Sequence, residues 1–219
     1  MVEKAHLIDL KSISKDFGST TVLDNINLYV RKKEFVTLLG PSGCGKTTTL
    51  RIIGGFEYPS SGQVYFDGKD ITHIPPYKRK VNTVFQKYAL FPHLNVQDNI
   101  AFGLKIAKVD RDDIRSRVDA MLDLVNLKGY GKRSVESLSG GQQQRVAIAR
   151  ALVAAPKILF ADEPTGNLDS HTAQEIMELL RVSVQRDKTT LLFVTHDMEK
   201  AAFADRVIHI SDGMVANES

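Results

Sequence analysis

The 219-residue chain has a single cysteine, Cys44, which excludes an internal disulfide and fits a reducing compartment. No apolar run approaches the ~20 residues that a helix needs to cross a bilayer. The charged opening MVEKAHLIDL lacks the basic–apolar–small order of a secretory leader. Excess charge is scarce too: 29 Lys and Arg against 26 Asp and Glu leave a net +3, too little for bulk attraction to nucleic acid, and no nucleic-acid partner is expected. The local run Lys78-Arg79-Lys80 reads as solvated surface. There is no internal repeat and no low-complexity linker. These absences point to a soluble, cytoplasmic chain forming one large domain, or a domain with an inserted lobe.

A hydrophobic share of 42% can fill a substantial core, and 25% charged residues suit a soluble surface. DNINLYV (24–30) places Ile26, Leu28 and Val30 on one face, as a half-buried strand does. EFVTLLG (34–40) is almost continuously apolar, as a strand covered on both faces is. GQVYFDGKDI carries an Asp67-Gly68 turn and reads as a hairpin. Further strands are predicted at 81–85, 156–162, 189–195 and 206–210. The stretch 87–155 reads as helical; within it Ile114, Val118, Met121, Leu122 and Val125 recur at helical spacing. The order predicts an α/β core, formed by 1–86 and 156–219, with a helical lobe inserted at 87–155. Alternating strand and helix in the second half favours a mostly parallel sheet.

Three stretches carry chemistry. GPSGCGKT (40–47) fits G-x-x-x-x-G-K-[ST], between an apolar strand and the predicted helix TTTLRIIGGF. Its residues Gly40, Pro41, Ser42, Gly43, Cys44 and Gly45 would form a phosphate-binding loop in which the glycines let backbone N–H groups turn inward at a helix N-terminus, with Thr48 just inside the helix. Lys46 would reach the β- and γ-phosphates and Thr47 would ligate Mg²⁺; Cys44 reads as a small filler. In PKILFADE, Asp162 ends a strand, where it would hold Mg²⁺, and Glu163 comes next, placed to orient or deprotonate the attacking water. In ESLSGGQQQRVAIARAL (136–152), Ser139 and Gln142 form a capping box around Gly140 and Gly141, which opens a second anion site at a helix entrance. Two such cradles are needed together if the second serves a nucleotide held by another copy.

LSGGQ (138–142), after GPSGCGKT and before ILFADE, resembles the signature of ATP-binding cassette (ABC) ATPases, with the other two as Walker A and B motifs. The likeness covers essentially the whole chain. It implies a P-loop nucleotide-binding domain with an N-terminal antiparallel β subdomain and an inserted helical subdomain, using ATP and Mg²⁺. By the same resemblance Phe17 stacks on adenine, and Gln86 is the lid-loop glutamine that reaches the metal and joins core to lobe. Asn167-Leu168-Asp169 is the D-loop, with Asp169 at the nucleotide, and His196 is the switch histidine. The family pattern implies a head-to-tail homodimer enclosing two ATP. Each would lie between Lys46, Thr47, Gln86, Asp162, Glu163 and His196 of one copy and Ser139, Gly140 and Gly141 of the other.

The resemblance also implies a transporter subunit, peripheral on the inner face of the cell membrane, working with separate integral permease subunits and, in the import type, a substrate-binding protein. The apolar segment Tyr88-Ala89-Leu90-Phe91 reads either as packing between lobes or as a groove for a permease helix. Residues up to about 155 are similar to polyamine and small-solute importer ATPases, and this favours import. ADEPTGNLDSHTAQEIMELL and THDMEKAAFADRVIHISDG are more similar to the lipoprotein-release and macrolide-export type, which keeps export open. So does the end of the chain at Ser219, where the importer group continues into a regulatory domain. A soluble ATPase outside transport is the third alternative.

Overall fold

A computed structural model of the chain describes residues 6–218; the first five residues of the charged opening lie outside them. The strands are β1 (His6–Phe17), β2 (Thr20–Arg31), β3 (Phe35–Leu39), β4 (Ser61–Phe66), β5 (Lys69–Asp70), β6 (Val81–Phe85), β7 (Ile158–Asp162), β8 (Thr190–Thr195), β9 (Arg206–Ser211) and β10 (Met214–Glu218). The helices are α1 (Lys46–Gly54), α2 (Val96–Ile106), α3 (Arg111–Leu124), α4 (Gly140–Leu152), α5 (Ser170–Asp187) and the short α6 (Met198–Ala201). One sheet, ordered β2-β1-β4-β5, is antiparallel. The other, ordered β10-β9-β3-β8-β7-β6, is parallel except for β10.

The continuous apolar runs follow from two cores separated by the parallel sheet. Val36 and Leu38 of β3, Ile158 and Phe160 of β7, and Leu192 and Val194 of β8 face α1 and the antiparallel sheet. Their alternate neighbours Phe35, Leu159, Ala161, Leu191 and Phe193 face α2–α5. Side chains alternate with period 2, so a strand between two cores must be apolar at every position. Each such large side chain stabilises the fold by roughly 1.5–3 kcal/mol. The predicted helical region resolves into α2, α3 and α4, and Val118, Met121, Leu122 and Val125 are buried as their spacing requires. The Asp67-Gly68 turn has both φ values positive, at 50° and 76°, which matches the tight hairpin expected of it.

Three features differ from the sequence reading. β1 has no simple alternation because its register slips around Ser12, where φ is +50°, while Leu7, Ile8, Leu10 and Ile13 are all buried. β10 is an edge strand with one partly buried side chain, Val215, and so carries no apolar period. Arg79 is not solvated surface like its neighbours Lys78 and Lys80 but buried, with 8% exposure. Its guanidinium donates to the carbonyls of Ile52 and Ile53 at the end of α1, and to those of Thr72 and Ile74. It thereby satisfies acceptors that a helix C-terminus leaves open. Replacing Arg79 by Met removes all four bonds and is expected to lower stability by about 3 kcal/mol, read as a lower urea midpoint at unchanged slope.

Candidate functional site

The site forms at the carboxyl edge of β3, β7 and β8, where open parallel sheets place their ligand crevices. β3 runs into the glycine loop, and α1 begins immediately after Gly45, whose φ of 101° no side chain caps. The N–H groups of the first turn therefore face an entrance suited to an anion. Gly45 must be glycine for packing as well: a β-carbon there would lie 2.4 Å from Leu23 Cδ2. Cys44 is buried beneath the loop, as a filler should be. Lys46 folds back, its Nζ donating to the carbonyls of Gly40 and Pro41, each at 2.7 Å, so the ammonium is fixed above the loop.

A cavity of about 360 Å³ is lined by Ser42, Gly43, Gly45, Lys46, Thr47, Thr48, Gln86, Asp162 and Glu163. Sequence positions up to 121 residues apart thus converge, bringing the GPSGCGKT and PKILFADE stretches together with Gln86. Thr47 Oγ1 donates to Asp162 Oδ1 at 3.1 Å. Burial pushes the Asp162 carboxyl above its ordinary range; the Thr47 bond opposes this, the nearby Glu163 charge adds to it, and Arg51 and Lys46 oppose it. Two hard oxygen donors side by side suit Mg²⁺, which keeps much of its coordination for water and phosphate oxygens. Among the described residues there is no cluster of three or more His, Cys, Asp or Glu side chains that could form a closed metal cage.

Glu163 leaves β7 in a left-handed conformation with φ of 45°, its N–H donating to the Val194 carbonyl at 3.0 Å. That conformation costs an L residue about 1–2 kcal/mol. It turns the carboxylate toward the end of β8, where Oε1 lies 3.0 Å from His196 Nδ1. With the proton on Nδ1 the imidazole donates to Glu163 and orients it, leaving Nε2 as the ring acceptor. Gln86 is seated by two neighbours: its carbonyl accepts from Asn167 Nδ2 at 3.2 Å, and its amide lies against Gly166, where a β-carbon would come within 2.7 Å of Nε2.

Other predicted residues lie outside this cavity. Phe17, at the end of β1, is 47% exposed, and the Lys15 ammonium sits 4.7 Å from its ring centroid. Asp169 caps α5 by accepting from the Thr172 N–H, which holds its carboxyl below the ordinary range. Ser139 and Gln142 form the expected capping box at α4, and none of its bonds uses the N–H of Gly140 or Gly141. The glycines also have a reason within the chain. A β-carbon at Gly140 would meet the Tyr88 hydroxyl at 2.8 Å, and one at Gly141 would meet Thr172 Cγ2 at 2.5 Å. The four signature residues do not line the cavity of their own chain.

Sequence reasoning missed three polar side chains that hold these segments. Asn99 is fully buried and bonds Phe91 at both its N–H and its carbonyl. Gln144, also fully buried, donates to the Pro164 carbonyl at 2.6 Å. Arg150 donates to the carbonyls of Tyr88 and Ala89. A polar residue in a buried helical register was the available signal, since Gln144 lies one turn before Ile148 and Asn99 adjoins Ile100. Leu90 and Phe91 are half-buried, and Phe91 packs on Phe102 at 4.3 Å, so packing within the lobe accounts for part of that apolar segment. A wider groove of about 810 Å³ opens between α2 and α3. Among the described residues no helix is long and apolar enough to cross a membrane.

The ABC transporter family matches residues 23–166. The chain is similar to the spermidine/putrescine import ATP-binding protein PotA of Clostridioides difficile (strain 630), 55% identical over 216 residues, covering 98% of this chain and 62% of that protein. It is similar to the Fe(3+) ions import ATP-binding protein FbpC of Vibrio cholerae, 49% identical over 213 residues, covering 97% and 61%. It therefore spans about three fifths of the length of these curated relatives. Among solved structures it matches the ATP-binding cassette MJ0796, a dimer in a post-hydrolysis state bound to ADP and Pi, with 38% identity, a TM-score of 0.85 and 97% coverage of both chains. The two-sheet core with its inserted helices is the ABC nucleotide-binding fold, and the chain belongs to the ABC transporter family.

Proposed function

We propose that the chain is the ATP-hydrolysing subunit of an importer for polyamines or related small solutes, acting as a head-to-tail homodimer on separate permease subunits served by a substrate-binding protein. The observation that carries the dimer is the one-sided cavity: Lys46, Thr47, Gln86, Asp162 and Glu163 frame it, while Ser139, Gly140 and Gly141 lie elsewhere with two helix-entrance N–H groups outside the capping box. The import reading is supported by the relatives named for spermidine and putrescine import.

In this reading the Walker A backbone and Lys46 bind the phosphates, and Phe17 stacks on the base. Thr47 and Asp162 hold Mg²⁺ with Gln86 beside them; the ion, when bound, neutralises charge developing on the phosphate oxygens. Glu163, oriented by His196, takes the proton of the attacking water. The signature N–H groups of the second copy complete the anion site, and its Asp169 segment borders the same interface. Closure is thereby linked to ATP through differential affinity. The groove between α2 and α3 has an apolar floor of Ala101, Val109, Ile114 and Val118 with Lys105, Arg111, Arg115 and Lys132 around it. It suits an amphipathic cytoplasmic helix of the permease, which would keep the chain at the inner face of the membrane.

Three tests separate these parts. Glu163→Gln should bind ATP yet stop turnover and accumulate a dimer on size exclusion, whereas Ser139→Arg should stop turnover with ATP affinity of the monomer intact; hydrolysis at the parent rate in Glu163→Gln would falsify the assignment of the base. Ile114→Glu together with Arg115→Glu, a half-buried and an exposed residue of the groove, should abolish co-purification with an integral membrane protein without changing the ATPase rate of the isolated chain, and undiminished recovery of that protein would remove the groove as the docking site. The third test uses pH. A carboxyl whose folded pKa is raised contributes favourably below its unfolded pKa, and that contribution is lost as pH rises through the folded value. Ionised Asp162 is therefore destabilising at neutral pH, so Asp162→Asn should raise Tm at pH 7, with the gain shrinking as pH falls through the carboxylate range, while Mg²⁺-dependent turnover is lost.

A further inference from the structure

Gln86 belongs to the nucleotide cavity and Gly140 to the entrance of α4, yet one residue touches the surroundings of both. Tyr88 lies two positions after Gln86. Tyr88 and Ala89 both have left-handed backbones, with φ of 56° and 50°. Non-glycine residues keep that conformation only where their surroundings impose it. Arg150 of α4 grips both residues here, donating from Nη1 to the Ala89 carbonyl at 2.7 Å and from Nη2 to the Tyr88 carbonyl at 3.1 Å, beside the turn bond from the Tyr88 N–H to the Phe85 carbonyl. Its guanidinium also lies 5.4 Å from the Phe91 ring centroid. Burial lowers the Arg150 pKa, as expected of a guanidinium withdrawn from water. At the other end of the same tyrosine, the Tyr88 hydroxyl occupies the space that a β-carbon on Gly140 would need, with Leu168 Cδ2 next nearest at 3.6 Å. Gln86 itself is tethered by Asn167, one residue before Leu168.

We propose that Tyr88, gripped through its backbone by Arg150, is the positioning residue that transmits a displacement of Gln86 to the N-terminus of α4. Nucleotide in a chain's own cavity then sets the attitude of that chain's Gly140 and Gly141 toward a second copy. The planar fork of Arg150 is what makes the link stiff: two parallel N–H groups fix two successive carbonyls, which a lysine ammonium on a flexible stem does not do. The inference rests on the dimer reading above.

The test uses ATP-driven dimerisation in the Glu163→Gln background, with ATP affinity of the monomer measured alongside. Arg150→Ala should weaken dimerisation by about tenfold while leaving monomer ATP affinity unchanged, and Arg150→Lys should recover only part of the loss. Gly140→Ala should weaken dimerisation because its new methyl meets the Tyr88 hydroxyl. Adding Tyr88→Phe should restore much of it, because the nearest atom of that ring is then Tyr88 Cζ, at 3.7 Å. The cycle keeps the proposal testable if Arg150→Ala does not fold. Independent, additive effects of Tyr88→Phe and Gly140→Ala, or equal loss of monomer ATP affinity in Arg150→Ala, overturn the strut while leaving the dimer reading in place. A Glu163→Gln parent that stays monomeric with ATP overturns the dimer reading, and the strut with it.

Discussion

The structure turns on one helix entrance left without a side-chain cap. Among the described α-helices, α2, α3, α4, α5 and α6 have their first turns capped by Asn95, Asp110, Ser139, Asp169 and Asp197, whereas α1 begins at Gly45 with no such bond. Orphan N–H groups at a helix start are unfavourable when buried and attractive to phosphate when accessible. Leaving them open commits the neighbouring elements. β3 must deliver the loop at the sheet edge, Lys46 must be fixed on loop carbonyls, and β7 must end where Asp162 meets Thr47. The two-sided apolar sheet supplies the rigidity that this convergence needs.

The α4 entrance uses the same chemistry differently. Its capping box takes up the Gln142 N–H and supplies an acceptor for that of Ser139, so the helix is stable before any ligand arrives. The glycines between them leave room for Tyr88 and Thr172 within the chain, and in the proposed dimer the same two positions would turn bare backbone toward an anion. The side chains filling the glycine space, Tyr88 and Thr172, lie two residues after Gln86 and three after Asp169, so the entrance of α4 is in contact with both segments.

Much of this was legible in the sequence, for a physical reason: phosphate cradles, caps and tight turns are local. The glycine loop, the Ser139–Gln142 box, the Asp67-Gly68 turn and the two-faced strands are each written within eight residues or fewer. The placement of Asp162 and Glu163 followed from the acidic pair at a strand end and that of Gln86 from the family likeness, and all three line the cavity with the loop. What escaped was nonlocal. Arg79 sits in a run that looks solvated, but its acceptors lie at the end of α1, 26 and 27 residues away. Arg150 finds its carbonyls 61 and 62 residues away. β10 is held by pairing with β9 rather than by burial, and hydropathy does not register it.

These nonlocal polar contacts share a character that explains their placement. Asn99, Gln144 and Arg150 each bond backbone carbonyls in the irregular segments after Gln86 or Glu163, and Asn82 of β6 reaches the Ala151 carbonyl of α4 in the same way. Apolar packing is non-directional and tolerates small sliding between bodies. A hydrogen bond to a buried carbonyl does not, because losing it leaves an unsatisfied acceptor that costs about 1–3 kcal/mol. The lobe is thus held to the core by apolar area in its bulk and by directional bonds at the loops that carry Gln86 and Glu163. On the proposed coupling, rigid motion of α4 would pass into those loops. That distribution, with α4 gripping the segment after Gln86 through Arg150 and the segment after Glu163 through Gln144, makes one helix answerable to both ends of the cavity.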